Sequence, residues 1–354
     1  TPTGLALARR DYPDLVTFYV PLDFSWAVRR AVARVRPTVL ALVELELWPN
    51  LINTAKSSGA RVSVINGRLS ARSHRGYRRI RWAMGPTLWR IDGVAAQTDE
   101  YAARFVDLGV PAERVHVTGS VKYDGLESDR DNAQTVALRR ELELSPSDLV
   151  FVAGSTMEGE EASALAAYRA ARVNHPTLRL ILVPRHAERF EKVAAWLLDQ
   201  GERVVRRSRP GEVLGSGSKP PVYLVDTIGE LCSVWGLADV AFVGGSLLAG
   251  RGGQNMMEPA AYGASVLFGP HTENFKEAVE GLLSRNAARR VRDAAELAEA
   301  LRADLDDPEA ANARGQAARS FVLAQNGASG RTLAELDRLV GSRVGSDRAA
   351  ALTA

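Results

Sequence analysis

The chain has 354 residues, 46% apolar and 25% charged, with a formal net charge of +3. That composition excludes a disordered chain and supplies enough apolar mass for two cores. A single cysteine, Cys232, excludes a disulfide framework and cysteine-based structural zinc, and it points to an intracellular setting. Of the 45 basic residues 40 are Arg and 5 are Lys, a bias that genomic composition and a need for planar anion-binding forks explain equally well.

The opening Thr1-Pro2-Thr3-Gly4 has no initiator Met and no signal segment, and no apolar run of about 18 residues that could span a bilayer follows it. The sequence is therefore expected to be a fragment. Short apolar, β-rich runs then alternate with helix-like segments: Val39 to Val43, Val62 to Ile65, Gly93 to Ala96, Val115 to Val117, Leu149 to Ala153, Leu178 to Val183, Val222 to Val225, Val240 to Val243 and Val266 to Phe268. This alternation predicts an α/β protein with parallel sheets covered by helices. Between Val121 and Ser147 the chain is polar and carries no strand-like run, which places a domain boundary near residue 135. The expected organisation is an α/β domain over 1–135, incomplete at its start, a second over 136–325, and a C-terminal helix with a frayed tail over 326–354. Two doubly wound domains of this kind are expected to face a ligand cleft.

Several loops after the expected strands have anion- or sugar-binding composition. Gly154-Ser155-Thr156-Met157-Glu158-Gly159-Glu160-Glu161 offers close backbone approach and a helix start, with Ser155 and Thr156 as candidate phosphate contacts. It is not a P-loop, since Glu160 stands where the phosphate-binding Lys would be, and the segment reads equally as an N-cap with acidic first-turn residues. Arg185, after Pro184, can grip a phosphate from a strand's carboxyl end or stand as a surface Arg. Asp226 to Leu231 is a further helix start in which Asp226 serves equally as a cap. Gly244-Gly245-Ser246 leads to Gly252-Gly253-Gln254-Asn255-Met256-Met257-Glu258-Pro259. Asn255 and Glu258 share one helix face, where the carboxylate can accept ribose hydroxyls; alone, the pair is a capping box.

In the first half, Glu44 and Glu46 flank a strand end beside Trp48, which suits acid/base or transition-state work, while either acid can instead pair with an arginine. Lys122 can meet an anionic substrate group. Seven arginines and no acid lie between Arg68 and Arg90, and Arg68, Arg72, Arg75 and Arg79 follow a 4-3-4 spacing that predicts one helix face continued by Trp82. Such a stripe fits an anionic membrane surface or phosphorylated lipid, or a plain solvated face; no nucleic-acid reading motif accompanies it. The five histidines show no metal-ligand pairing, and no Gly-x-Ser-x-Gly elbow or dinucleotide fingerprint is present.

Taken together, these loops resemble the family of 3-deoxy-D-manno-octulosonic acid (Kdo) transferases. The likeness runs from residue 1 to about 280, through Thr1 to Gly4, Pro21-Leu22-Asp23, Glu44 to Asn50, Asn66 to Ser70, Gly119 to Asp124, Gly154 to Glu161, Pro184 to His186, Asp226 to Leu231, Gly244 to Ser246, Gly252 to Pro259, and Gly269-Pro270-His271 with Asn274-Phe275. Here Gln254 replaces a usual His, Leu45 a Thr, Ser120 an Asn and Gly67 an Ala. The resemblance implies a GT-B fold and inverting transfer of Kdo from CMP-Kdo to the lipid A precursor without a metal or other cofactor. It implies CMP contacts from Pro184, Arg185, Ile228, Gly229, Glu230, Asn255, Met256, Met257 and Glu258, and transition-state stabilisation by Glu44 and Lys122. Gly245, Ser246 and Asn274 join Ser155 and Thr156 as candidate donor contacts. The family's general base, a Glu, precedes the Thr-Pro-Thr-Gly stretch together with a membrane anchor, so neither is expected here and Glu46 and Asp23 are not given the base's role. Work at the cytoplasmic face of the inner membrane follows. Alternatives are another GT-B nucleotide-sugar enzyme, such as a UDP-dependent transferase or epimerase, and a non-catalytic membrane-surface binder.

Overall fold

The structure, a computed structural model, describes residues 2–352; Thr1 of the opening motif, Thr353, Ala354 and the side chains of 3 and 342–352 lie outside the described residues. The chain forms two compact units, Thr1–Asp124 with Gln325–Ala354, and Gly125–Ala324.

In the first unit β1 (Val39–Val43), β2 (Arg61–Gly67), β3 (Gly93–Ala96) and β4 (Val115–Val117) form a parallel sheet in the order β1-β2-β3-β4. Right-handed crossovers in sequential order put the connecting helices on one face of such a sheet. The other face must be covered from elsewhere, and the helix Ala328–Leu352 contacts β1, β2 and β3. Leu339 Cδ1 lies 3.3 Å from where a Cβ on Gly93 would stand, so the helix packs closely on this strand. The Asp124 carboxylate caps this returning helix, accepting from the N–H groups of Gly327 (2.6 Å), Ala328 (3.3 Å) and Ser329. Residues 325–352 thus belong with the first unit, and the backbone is helical to Leu352 where a frayed tail was expected; Ala, Arg and Leu are good helix formers.

The division falls at Asp124 and not near residue 135. The Arg130 guanidinium donates to the carbonyls of Tyr262 (2.9 Å) and Ala238 (2.7 Å), which fastens the intervening segment to the second unit.

That unit holds β5 (Leu149–Thr156), β6 (Leu178–Pro184), β7 (Val204–Arg206), β8 (Val213–Leu214), β9 (Val222–Leu224), β10 (Val240–Val243), β11 (Ser265–Phe268) and β12 (Arg289–Arg290). Their order is β12-β11-β10-β5-β6-β9-β7-β8, parallel except for β7 with β8. β5 to β6 runs one way and β10 to β12 the other, so the winding reverses between β5 and β10. Phe151, Leu180, Leu182 and Phe242 pack with Leu165 and Tyr168 to form the core beneath that point. The first unit has its own core, around Ile52, Val62, Val64, Leu88 and Phe105. Among the described residues no helix is long and apolar enough to cross a membrane.

Candidate functional site

In an open α/β sheet ligands bind where the winding reverses, at the carboxyl ends of the strands. A cavity of about 240 Å³ lies there, lined by Ser155, Arg185, Gln254, Asn255 and Glu258, with Trp235 and Phe275 among its walls. Its floor depends on Gly154: a Cβ at that position would stand 2.5 Å from the Trp235 ring, so only glycine lets the buried indole lie across the end of β5.

Glu258 is the most constrained group. Its Oε1 accepts from Asn255 Nδ2 (3.0 Å) and its Oε2 from Trp235 Nε1 (3.2 Å), while Asn255 Oδ1 accepts from the Met257 N–H (3.2 Å). Asn255 therefore both caps the short helix Met257–Ala261 and fixes the carboxylate. Burial pushes the Glu258 carboxyl above its ordinary value, against the pull of the two hydrogen bonds and of the Arg185 charge. Met256 and Met257 are 0% and 3% exposed and do not line the cavity.

Pro184 ends β6 and is buried; the Arg185 N–H donates to Thr156 O (3.0 Å), which holds its backbone at the rim while the side chain stays exposed. Gly229 adopts φ +94° and Ile228 is 82% exposed, so this turn projects outward. The Glu230 carboxylate is engaged by Arg207 (2.9 Å) and the Thr227 hydroxyl.

Four candidate donor contacts, Thr156, Gly245, Ser246 and Asn274, are committed to the fold. Thr156 is fully buried and donates its hydroxyl to Glu161 (2.7 Å). Ser246 is likewise buried, with its hydroxyl on Val243 O (2.5 Å), and its N–H and that of Gly245 donate to Glu160 (2.9 and 2.6 Å). The amides after β10 thus form an anion nest, and an internal carboxylate fills it. Asn274 donates to Arg251 O (3.0 Å) and steadies the Gly252 turn. Ser155, held at φ +55°, does line the cavity. Sequence reasoning left out Trp235, and it passed over Glu160 because a first-turn acid reads as a helix cap.

In the first unit Lys122 Nζ lies 3.0 Å from Glu44 Oε1, the two side chains 55% and 38% exposed. An ion pair this open contributes little stability and leaves both groups accessible. Glu44 follows β1 with φ +57°, its N–H on Ile65 O (3.0 Å). Asn66, also left-handed, accepts the Val121 N–H (3.2 Å) and so sets the Lys122 turn. Asp23 accepts from the N–H groups of Asn50 (2.9 Å) and Leu51 (2.8 Å), a helix cap supplied from afar, and Glu46 takes the Trp48 indole N–H (2.6 Å).

The arginine stripe is shorter than its spacing implies. Ser70 caps the helix Ala71–Arg79 by accepting the Ser73 N–H (3.1 Å), so Arg68 lies before it, and a break at Ile80 puts Trp82 on the next helix, Arg81–Leu88. Arg72, Arg75 and Arg79 remain as an exposed row. No cluster of three or more His, Cys, Asp or Glu that could hold a metal occurs among the described residues.

Two parallel α/β units in one chain, the second with a polar pocket at its switch point, make up the GT-B fold. The same fold appears in the solved UDP-GlcNAc 2-epimerase from Neisseria meningitidis, at 13% identity and TM-score 0.58, over 89% of this chain and 80% of that one. The family model for 3-deoxy-D-manno-octulosonic-acid transferase (kdotransferase) matches residues 1–125. The 3-deoxy-D-manno-octulosonic acid transferase of Haemophilus influenzae is 36% identical over 94% of this chain and 77% of its own length. The enzyme of that name from Bordetella pertussis is 37% identical over 96% and 77%. The chain belongs to the 3-deoxy-D-manno-octulosonic acid transferase family and is a glycosyltransferase.

Proposed function

We propose that the protein binds CMP-Kdo through the pocket of Arg185, Asn255 and Glu258 and transfers Kdo, with inversion, to a hydroxyl of the lipid A precursor (lipid IVA) at the anionic cytoplasmic face of the inner membrane. The acceptor oxygen bonds to the anomeric carbon of Kdo as the bond from that carbon to the CMP phosphate oxygen breaks. The acceptor proton passes to a base outside the residues named here. CMP departs as a phosphate monoester, and a guanidinium fork meets the charge that develops on it. With the Gly245 and Ser246 amides already taken, that task falls to Arg185, and no metal is assigned to it. Glu258 accepts the ribose hydroxyls, while Glu44 and Lys122 stabilise the transition state on the sugar side. Arg72, Arg75 and Arg79 meet the phosphorylated lipid or the membrane surface.

The observation that carries the nucleotide assignment is the cavity in which Arg185, anchored through its backbone, shares a wall with a carboxylate fixed by Asn255 and Trp235. Calorimetric titration with CMP, UDP and GDP tests it: CMP binds most tightly, and Arg185→Ala weakens CMP at least about tenfold through loss of a charged hydrogen-bond pair. Preference for UDP would favour a different GT-B enzyme. In turnover, Lys122→Met and Glu44→Gln lower kcat while CMP affinity stays unchanged.

A further inference from the structure

Glu160 is fully buried, in the first turn of the helix Glu160–Arg172, and it takes no part in the mechanism above. Its Oε1 accepts the N–H groups of Ser246 and Leu247 (both 2.9 Å), and its Oε2 those of Met157 (2.8 Å) and Gly245 (2.6 Å). Four donors from two loops converge on one carboxylate, which occupies its lone pairs. The loops are also pressed together: a Cβ on Gly244 would stand 2.6 Å from Ser155 O and 2.8 Å from Glu160 Oε2.

The place matters as much as the count. β5 and β10 are the two strands between which the winding reverses, and free amides at such a point ordinarily receive a ligand's anionic group. Here the chain supplies its own anion. From it two short connections reach the nucleotide pocket. Gly245 O accepts the Gly253 N–H (2.8 Å), directly before Gln254 and Asn255 of the wall. Ser246 O accepts the His271 N–H (3.0 Å) and Ser246 Oγ the Gly269 N–H (2.8 Å), which ties in the loop leading to Phe275.

We propose that Glu160 is a positioning residue of the nucleotide pocket: an internal anion that fills the amide nest at the switch point and sets where Gln254, Asn255 and Phe275 stand. The proposal rests on the nucleotide reading given above. It requires a carboxylate specifically, because all four partners are donors. A glutamine keeps one accepting oxygen and turns an NH2 toward two N–H groups.

The test is CMP titration and Kdo-transfer kinetics on the full chain with Glu160→Gln, Glu160→Asp and, as control, Asp304→Asn. Asp304 is an equally buried carboxylate, held by Ser265 Oγ (2.6 Å) and Arg314 (2.8 Å), but Ser265 opens β11 at the end away from the pocket. Glu160→Gln should weaken CMP at least about tenfold and raise KM for the donor while kcat at saturation is retained. Asp304→Asn should lower the melting temperature and leave CMP affinity unchanged. If Glu160→Gln does not fold, Glu160→Asp, which keeps the charge but reaches less far, gives the same decision through a smaller loss. CMP binding unchanged in the Glu160 variants, or equally weakened in Asp304→Asn, would overturn this inference alone. Failure of the unaltered protein to bind CMP would overturn the nucleotide reading and this inference with it.

Discussion

Replacing Glu258 with glutamine separates a carboxylate that works on the nucleotide from one that merely caps a helix. Both Glu258 oxygens are acceptors, for Asn255 Nδ2 at 3.0 Å and Trp235 Nε1 at 3.2 Å. Glutamine retains one of these bonds and sets donor against donor at the other. The loss is about 1–3 kcal/mol, or roughly fivefold to 150-fold in Kd for CMP if the ribose needs the same oxygens. The pH dependence adds a second, independent sign. Because burial raises the Glu258 pKa above its ordinary 4.5, its contribution to folding stability is fully present below that value and is lost as pH rises through the raised one. Nucleotide binding runs the other way: affinity grows over the same interval as the carboxylate forms and accepts the ribose hydroxyls. Calorimetry with CMP and thermal melting, both from pH 4.5 upward, should therefore show Glu258 contributions of opposed sign, read as the difference between the unaltered protein and Glu258→Gln, because the CMP phosphate, with a second pKa of about 6, and the Asp239 carboxyl, which burial also raises, titrate in both. Undiminished CMP affinity in the variant, or the same pH profile of binding in the variant as in the unaltered protein, would refute the assignment.

Gly154→Ala places a methyl group 2.5 Å from the Trp235 ring and 2.9 Å from Leu231; overpacking of about 1–3 kcal/mol should lower the melting temperature and, by displacing Trp235, weaken CMP, and a neutral result in both assays would sink the floor argument. Asp124→Ala removes the cap of the returning helix and should cost about 1 kcal/mol in urea unfolding at neutral pH. The N–H groups of Ser329, Gly327 and Ala328 overcome burial and hold Asp124 below its ordinary 3.8, so its contribution is full above that value and fades as pH falls through the lowered one. The variant should accordingly lose less stability than the unaltered protein on acidification. Arg72→Glu, Arg75→Glu and Arg79→Glu together should weaken partition onto anionic vesicles at least about a hundredfold, at roughly 1 kcal/mol per basic residue, with CMP affinity unaltered; unchanged partition would leave the row a solvated face.

The central strands were legible because buried parallel strands are continuous apolar runs, as in Val240–Val243 and Leu178–Pro184. β7, β8 and β12 were not, since segments as short as Arg289–Arg290 carry no pattern and are strands only through a neighbour's hydrogen bonds. A C-terminal helix was expected over 326–354, but the sequence could not say which sheet it covers; that follows from the sequential order of β1 to β4, which leaves a face bare. The spacing of Arg68, Arg72, Arg75 and Arg79 misled because helical periodicity applies only inside one helix, and the Ser70 cap and the break at Ile80 cut it. At the pocket, Arg185, Asn255 and Glu258 stood out by chemistry and lie together. Thr156 and Ser246 stood out for the same reason and are internal, because a hydroxyl or an amide that can bind a ligand's anion binds a chain carboxylate equally well.

The consecutive acids Glu160 and Glu161 show how the sheet order is converted into a site. Neighbouring residues on a helix point about 100° apart, so two acids at the start of the helix after β5 can serve opposite sides of that strand. β5 lies between β10 and β6. Glu160 takes the amides of the loop after β10. Glu161 takes the Arg189 guanidinium with both oxygens (2.8 and 2.9 Å), in the segment after β6, and Arg189 also donates to Thr156 O (3.0 Å), the carbonyl that holds the Arg185 N–H. One acid thereby sets the Asn255 side of the pocket and the other the Arg185 side. The acids do so only while both flanking loops carry donors, which is why a run that looks like an ordinary acidic first turn cannot be read for this role until β10 and β6 are known to lie on either side of it.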